Sequence, residues 1–137
     1  MRRIRLLIAI GLALALIAPT VGWAQSRADQ SPAERQALWY EETMMGLARS
    51  LGAAHAIRLN CANGDYTLFG MMEELIAQEG SERRLALESA WNEGFRLHYA
   101  MYPVCTAQAI AAEATLREQG GRFADGLAAT TIDPPPP

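Results

Sequence analysis

The spacing of apolar residues between residues 34 and 121 constrains the fold of this chain most strongly. Apolar side chains recur there every three or four positions, and no run alternates apolar with polar residues. Spacings of three and four place side chains on one face of an α-helix, whereas a half-buried strand requires alternation. The stretch is also rich in Ala, Leu, Glu, Met and Arg, which favour helices. The sequence therefore predicts an all-α fold, a small bundle of about four helices in one domain.

Capping residues and helix breakers divide this domain into four helices. Serine, threonine and aspartate at a helix start accept hydrogen bonds from free backbone N–H groups, and glycine or proline ends a helix. The predicted starts are Ser31, Asp65, Ser81 and Thr106, and the predicted ends are Asn60 to Gly64, Gly80, Pro103 and Gly120-Gly121. The predicted buried faces include Tyr40, Met44, Leu47, Leu51 and Ala54 in the first helix, and Leu87, Trp91, Phe95 and His98 in the third.

The N-terminus has the pattern of a signal peptide. Three arginines in MRRIR precede thirteen uncharged apolar residues at 6–18, and small residues at Gly22 and Ala24 suit cleavage before Gln25. An uncleaved anchor over Leu6–Ala24 is the alternative, since it is close to bilayer-spanning length. We expect residues 1–24 to be removed and the mature protein to be periplasmic or secreted.

Two polar or proline-rich segments flank the helical domain at 34–121. Residues 25–33 are polar and lack periodicity, and residues 122–137 end in four prolines. Such segments bury too little apolar surface to fold. We therefore expect both to be flexible.

The mature chain is acidic. Nine arginines and fifteen acidic residues remain after cleavage, which gives a formal charge of −6, and the chain contains no lysine. Without a basic stripe, nucleic acid and anionic membranes are poor partners. A basic protein partner, or simply solubility, suits this charge better. The expected partner is an envelope protein, and we expect no stable membrane insertion once the signal peptide is removed.

The two cysteines, Cys61 and Cys105, are predicted to form a structural disulfide. An even cysteine pair in an oxidising compartment favours this assignment, and the spacing is not that of a C-x-x-C redox pair. The bridge would enclose the second and third helices and stabilise the fold by about 4 kcal/mol. It would also remove Cys61 as a nucleophile.

Two glycines interrupt helical patterns, Gly46 in the first helix and Gly94 in the third. Each costs about 1 kcal/mol relative to alanine in a helix interior, so a compensating contact is expected. Close approach of two helices is one explanation, and a ligand packed against bare backbone is the other.

The sequence lacks the usual patterns of catalytic and metal sites. There is no G-x-S-x-G elbow and no glycine-rich phosphate loop, and neither His55 nor His98 begins an H-x-x-x-H arrangement. Glu113 and Arg117 are spaced as a surface ion pair. We expect no catalytic residue, metal or cofactor, and hence no enzyme.

Four short motifs stand out as a set: LGAAHAIRLNC at 51–61, GD at 64–65, AWNEGF at 90–95 and YPVC at 102–105. Together they resemble a family of small exported alphaproteobacterial proteins known only as a domain of unknown function, and the resemblance covers about Leu47 to Gly121. The family pattern runs Leu-Gly-x-x-His-x-x-Arg-x-x-Cys, then Phe-Asn-x-Gly-Tyr, then Cys. This chain departs from it with Trp91 for Phe and Phe95 for Tyr. The resemblance implies export and this fold, but no mechanism.

The resemblance singles out His55, Arg58, Asn92 and Gly94 as motif positions. His55 and Arg58 lie three apart on one helix face, and Asn92 neighbours Trp91. We interpret His55, Arg58 and Asn92 as a polar cluster across the crossing of the first and third helices. The cluster is either a hydrogen-bond network that fixes helix docking or a site for a ligand or partner.

Three functions are compatible with these features. The leading hypothesis is a non-enzymatic protein-interaction or accessory factor of the cell envelope. The alternative is a small periplasmic chaperone active under acid stress, because protonation of fifteen carboxylates would make the chain cationic and partly unfolded. The third is a ligand-binding protein or enzyme with its site around His55, Arg58 and Asn92.

Overall fold

The computed structural model describes residues 30–62 and 64–132, and these form four helices with no strand among them. The helices are α1 (Pro32–Cys61), α2 (Thr67–Glu79), α3 (Ser81–Met101) and α4 (Ala107–Ile132). The predicted all-α fold of four helices is therefore confirmed. The predicted signal peptide at 1–24, most of the segment at 25–33 and the four terminal prolines lie outside the described residues.

The chain divides into two compact units between Arg35 and Gln36. In the described part of the first unit, α1 begins with a reciprocal pair of hydrogen bonds between Ser31 and Glu34. The Glu34 backbone N–H donates to Ser31 Oγ at 3.2 Å, and the Ser31 N–H donates to the Glu34 carboxylate at 2.6 Å. This capping box satisfies two backbone N–H groups that the helix start would leave free. The second unit, from Gln36 onward, contains the remaining described residues.

Helix α1 lies at the centre of this unit. Ser50 and every residue from Gly52 to Ile57 are buried, so burial extends around the whole helix there instead of along one stripe. Most of these residues are small, which lets neighbouring helices approach closely. The core that surrounds α1 contains Met44, Ala48, Ala54, Leu68, Met72, Ile76, Leu87, Ala90 and Trp91.

Helices α1 and α3 meet backbone to backbone at a pair of glycines. A Cβ atom on Gly94 would lie 2.1 Å from the Arg49 carbonyl oxygen, and one on Gly52 would lie 2.2 Å from that of Trp91. Real Cβ atoms essentially never come this close to another heavy atom. Close helix packing therefore accounts for Gly94, and Gly52 contributes equally although its sequence pattern did not single it out.

Helix α4 continues through Gly120-Gly121 to Ile132, so its predicted end and the predicted flexible tail need correction over residues 122–132. The reason is tertiary packing. A Cβ atom on Gly46 would lie 2.7 Å from the ring of Phe123, and the ring of Trp39 lies within 3.5 Å of the Cβ position of Gly126. Gly46 thus accommodates an aromatic side chain from a segment that the sequence assigned to the tail.

A disulfide joins the end of α1 to the loop before α4. Cys61 and Cys105 are bonded, with their Cα atoms 4.9 Å apart, which confirms the predicted pairing. Beside it, the Asn60 side-chain amide donates to the Tyr102 carbonyl oxygen at 3.0 Å. The covalent loop contains α2 and α3, so reduction would remove the covalent constraint on both helices.

The turns on either side of α2 differ slightly from expectation. The Asp65 carboxylate accepts hydrogen bonds from the N–H and hydroxyl of Thr67, but Tyr66 takes the N-cap position of α2, so Asp65 is the residue before the cap and not the predicted cap itself. Between α2 and α3, Gly80 has a φ of +81° and takes the N-cap position of α3, so Ser81 is the first helical residue and not the cap. A positive φ favours glycine, which explains Gly80 at this sharp turn.

A polar clamp ties α1, α2 and α3 together at the far end from the disulfide. The Arg83 guanidinium bonds Glu41 and Glu79, each at 2.7 Å, and lies 5.2 Å above the ring of Tyr40. The Tyr40 hydroxyl donates to Glu79 at 2.7 Å, which raises the pKa of Tyr40. Across residues 30–62 and 64–132, no helix is both long and apolar enough to cross a membrane.

Candidate functional site

A groove with a volume of about 680 Å³ lies between α1, α2 and α4. This volume is in the range of ligand-binding sites. Met71, which lines the groove, is 51 % exposed, so the groove is open to solvent. Its apolar lining includes Leu47, Leu51, Leu68, Met71, Leu75 and Leu116.

Two helices supply the long sides of this groove. Its lining residues on α1 extend from Leu47 to Arg58 and those on α2 from Thr67 to Gln78, and within each helix they recur at spacings of one, three or four. Each set therefore forms one continuous helix face. Eleven residue steps at about 1.5 Å per residue give each face a length of roughly 16 Å.

Backbone forms part of the α4 side of the groove. Leu116 and Arg117 line the first part of this side, and Gly120, Gly121 and Ala124 line the rest. A Cβ atom on Gly121 would have no other atom within 4 Å, and one on Gly120 would make only ordinary contact with Ser50 at 3.7 Å. The Gly120-Gly121 pair, which the sequence analysis assigned to a helix end, is instead part of the groove wall.

Arg58 closes one end of the groove and connects three segments. Its guanidinium lies 3.0 Å from the Asp65 carboxylate and 3.0 Å from that of Glu113 on α4. Glu113 also lies 3.8 Å from Arg117, which confirms the predicted pair but makes it the weaker of the two that Glu113 forms. The Arg117 side chain is 54 % exposed, so it is the more available cation at this end.

Asp65 serves both the α2 start and this ion-pair network. Hydrogen bonds from Thr67 hold the pKa of Asp65 below its usual value, and the Arg58 charge acts in the same direction. Asp65 is therefore ionised at neutral pH and remains a partner for Arg58.

The opposite part of the groove carries an acidic group. Glu74 lines the groove on α2, is exposed and accepts a hydrogen bond of 3.5 Å from Gln78. It lies seven residues beyond Thr67, or about 10 Å along the helix. The groove therefore has arginines at one end and a carboxylate toward the other.

His55 faces away from this groove and lies among four aromatic rings. The centroid of its ring is 5.3 Å from that of Trp91, and the three other distances, to Tyr66, Phe95 and Phe69, lie between 5.6 and 6.2 Å. Aromatic rings at these separations attract each other beyond their apolar burial. His55 is thus a packing element between α1, α2 and α3.

The environment of His55 disfavours its charged form. The side chain is only 4 % exposed, and Nδ1 has no hydrogen-bond partner among the described residues. Burial lowers the pKa of His55; the nearby Asp65 carboxylate opposes this change, and Arg58 adds to it. The imidazole is neutral at pH 7.

The described residues do not bring His55, Arg58 and Asn92 together as a hydrogen-bonded cluster. His55 makes ring contacts and Arg58 makes ion pairs, while Asn92 is exposed and its backbone carbonyl accepts a hydrogen bond from Arg96. Asn92 lines a second cavity of about 360 Å³ between α2 and α3. Their spacing on one helix face correctly placed His55 close to Arg58. It did not predict that His55 would pack against aromatic rings while Arg58 pairs with carboxylates.

Sequence reasoning missed the groove, although its residues carried signals. Two features could have indicated it: a second apolar stripe on α2 through Leu68, Met71 and Leu75, and glycines at positions 120 and 121 within a helical pattern. In the described part of the chain, no three His, Cys, Asp or Glu residues are grouped so that they could hold a metal ion.

Comparison with known proteins places the domain in a family. The family model described as "Protein of unknown function (DUF2385)" matches residues 39–130. The chain matches no curated protein and no solved structure. The matched residues include all of α2 and α3, most of α1 and α4, both cysteines and every residue that lines the groove. The chain therefore belongs to the DUF2385 family.

Proposed function

We propose that this protein is an exported, non-enzymatic accessory factor of the cell envelope that binds a partner protein in the groove between α1, α2 and α4. One observation carries the proposal: an apolar groove of about 680 Å³ is open to solvent and has glycine and alanine along part of its α4 side. Apolar surface of this kind gains free energy when a partner covers it.

Export is supported by the N-terminal pattern and by the disulfide. Disulfides persist in oxidising compartments such as the periplasm and are rare in the cytosol. The bridge between Cys61 and Cys105 stabilises a domain of about one hundred residues, a size at which a single hydrophobic core provides limited stability. The acidic mature charge suits a soluble envelope factor whose partner has a basic rim.

The groove chemistry favours binding over catalysis. The charged side chains at its arginine end already engage one another, since Arg58 lies 3.0 Å from both Asp65 and Glu113. Paired charges of this kind fix the ends of α1, α2 and α4 relative to one another and leave the apolar floor as the free surface. A preformed, rigid apolar groove binds with little ordering cost in the protein itself.

The test uses two glycines that accept a side chain without a clash. Gly121 lies in the groove wall and Gly70 on the exposed face of α2, and a Cβ atom at either position meets nothing within 4 Å. Gly121→Leu should fill the groove, whereas Gly70→Leu should not. We expect wild type and Gly70→Leu to recover the same stoichiometric partner from an envelope fraction and Gly121→Leu to lose it. Equal recovery by all three proteins would contradict the proposal.

A second candidate function is the acid-activated chaperone, and the exposed apolar side chains favour it. Leu85, Val104 and Tyr66 are between 64 and 78 % exposed. Protonation of Asp65 at low pH would weaken its ion pair with Arg58 and loosen the start of α2, which would expose more apolar surface. Suppression of client aggregation near pH 3 but not at pH 7 would support this function. Equal activity at both pH values, or none, would count against it.

A further inference from the structure

We infer that the occupant of the groove is an amphipathic helix of about three turns, with its C-terminal end at Arg117. This inference rests on the proposed function, because it specifies the chemistry of the segment that the groove binds. Three properties of the groove lead to it: its length, its glycine wall and the distribution of charge between its ends.

The length of the groove matches a short helix. The lining residues of α1 and α2 each extend over eleven residue steps, about 16 Å or three helical turns. Partner helices that bind in grooves use apolar anchors at spacings of three, four and seven, and three turns accommodate such a set. The groove floor offers leucines along its whole length, so it can receive anchors from successive turns of one helix.

The glycine wall suits the close approach of another helix. Gly120 and Gly121 present backbone to the groove, with open space around the Cβ position of Gly121. Small residues let helix axes come closer than larger side chains permit. The same chain uses glycine in this way where α1 crosses α3 at Gly52 and Gly94. Gly120 and Gly121 on α4 likewise allow close backbone approach, on a face that the described residues leave uncovered.

The charges at the two ends give the occupant a direction. The half-exposed Arg117 lies at the end marked by Arg58, and its contact with Glu113 is long at 3.8 Å. The exposed Glu74 lies farther along α2, toward Gln78. A helix has partial negative charge at its C-terminus and partial positive charge at its N-terminus. The favourable orientation therefore runs parallel to α1, with acidic residues at the C-terminal end facing Arg117.

A single-chain anionic lipid fits these charges less well. Its one head group would use Arg117 but leave Glu74 against an apolar tail, and Arg58 is already neutralised by two carboxylates at 3.0 Å. A helix with opposite charges at its two ends satisfies both Arg117 and Glu74.

The test uses two fluorescein-labelled helical peptides of fourteen residues and identical composition, each with leucines at spacings of three and four. The first has lysines at its N-terminal end and glutamates at its C-terminal end, and the second has these charges exchanged. Binding to the full mature chain is measured by fluorescence anisotropy for wild type and Arg117→Glu. Arg122→Glu is the matched control, because Arg122 also lies on α4 and pairs with the glutamate four residues earlier but does not line the groove.

The readout is the ratio of first-peptide to second-peptide affinity, which we expect to be higher for wild type than for Arg117→Glu. Arg117→Glu should lower the ratio of the two affinities about five-fold, the size expected when exposed ion pairs become repulsive, and Arg122→Glu should leave it unchanged. The helicity of each free peptide is the same whichever protein it binds, so it cancels when the affinity ratio of a variant is compared with that of wild type. Gly121→Leu should abolish binding of the first peptide, while Gly70→Leu should not.

Other outcomes overturn the inference. Binding that survives Gly121→Leu, or an affinity ratio that Arg117→Glu leaves unchanged, would exclude the oriented helix. If neither peptide binds but laurate binds to wild type and not to Gly121→Leu, the occupant is an amphiphile. If neither peptide binds while the chain self-associates through the groove, the occupant is a second copy. In either of these cases, loss of the envelope partner by Gly121→Leu alone would leave the proposed function standing without the helix.

Discussion

Gly94→Ala should destabilise the protein strongly, although alanine is the better helix former. The added Cβ atom would lie 2.1 Å from the Arg49 carbonyl oxygen and 3.1 Å from the Ala53 backbone nitrogen. Ordinary contact begins at about 3.4 Å, so α1 and α3 would have to separate by about 1.3 Å along this direction. Both neighbours are backbone atoms of a buried helix, so no side-chain rotation can relieve the clash.

The magnitude follows from two opposed contributions. Overpacking a well-packed core costs about 1 to 3 kcal/mol, and a clash with backbone belongs at the upper end of that range. Replacing a helical glycine with alanine returns about 1 kcal/mol. The net loss is therefore about 2 kcal/mol. In a domain of this size, it should lower the melting temperature by roughly 8 to 16 °C.

Gly70→Ala provides the matched control, because this helical glycine has open space at its Cβ position. It should gain about 1 kcal/mol and melt higher than wild type. Thermal unfolding followed by circular dichroism measures both variants. Gly52→Ala should resemble Gly94→Ala, and the double variant should lose less than the sum, because both changes force the same two helices apart. If Gly94→Ala melted at or above wild type, the backbone contact between α1 and α3 would be refuted.

Three further predictions concern the disulfide, the end of α4 and pH. Reduction of Cys61–Cys105 should lower the free energy of unfolding by about 4 kcal/mol in urea titrations, and alkylation without reductant should find no free thiol; two thiols would contradict the bridge. Phe123→Ala should lower the free energy of unfolding by about 1 to 3 kcal/mol, because the half-buried ring of Phe123 packs on Gly46. An unchanged urea midpoint would indicate that residues 122–132 are a flexible tail after all. The free energy of unfolding should fall as pH drops below about 6.5, because the pKa of His55 is lowered in the folded state and the unfolded state therefore binds more protons. His55→Phe should remove this dependence on pH, and an unchanged dependence would contradict its assignment to His55.

Local signals in the sequence predicted much of the fold. Ser31 caps α1 and Gly80 ends α2, because capping and positive φ depend on a few adjacent residues. The disulfide followed from a count of two cysteines and the expected compartment. Gly94 was singled out because an uncompensated glycine in a helix has a known cost, and the structure supplies the compensating contact at Arg49.

The remaining features depend on contacts between distant residues. Gly120-Gly121 has the local character of a helix end, but packing of Phe123 against Gly46 carries α4 eleven residues further, to Ile132. Ring packing around His55 involves residues from three helices, and no local pattern distinguishes it from a hydrogen-bonded cluster. The groove required the relative placement of α1, α2 and α4, which periodicity within each helix does not specify.

Site-specific photo-crosslinking tests most directly whether the groove between α1, α2 and α4 is the binding site. A photoreactive phenylalanine analogue would replace Met71, which lines the groove and is half exposed, and in a second protein Leu85, which is 78 % exposed on α3 outside the groove. Both proteins would be produced in cells and irradiated. We predict a discrete crosslinked partner from position 71 and none from position 85. A partner crosslinked from position 85 but not from position 71 would contradict the account.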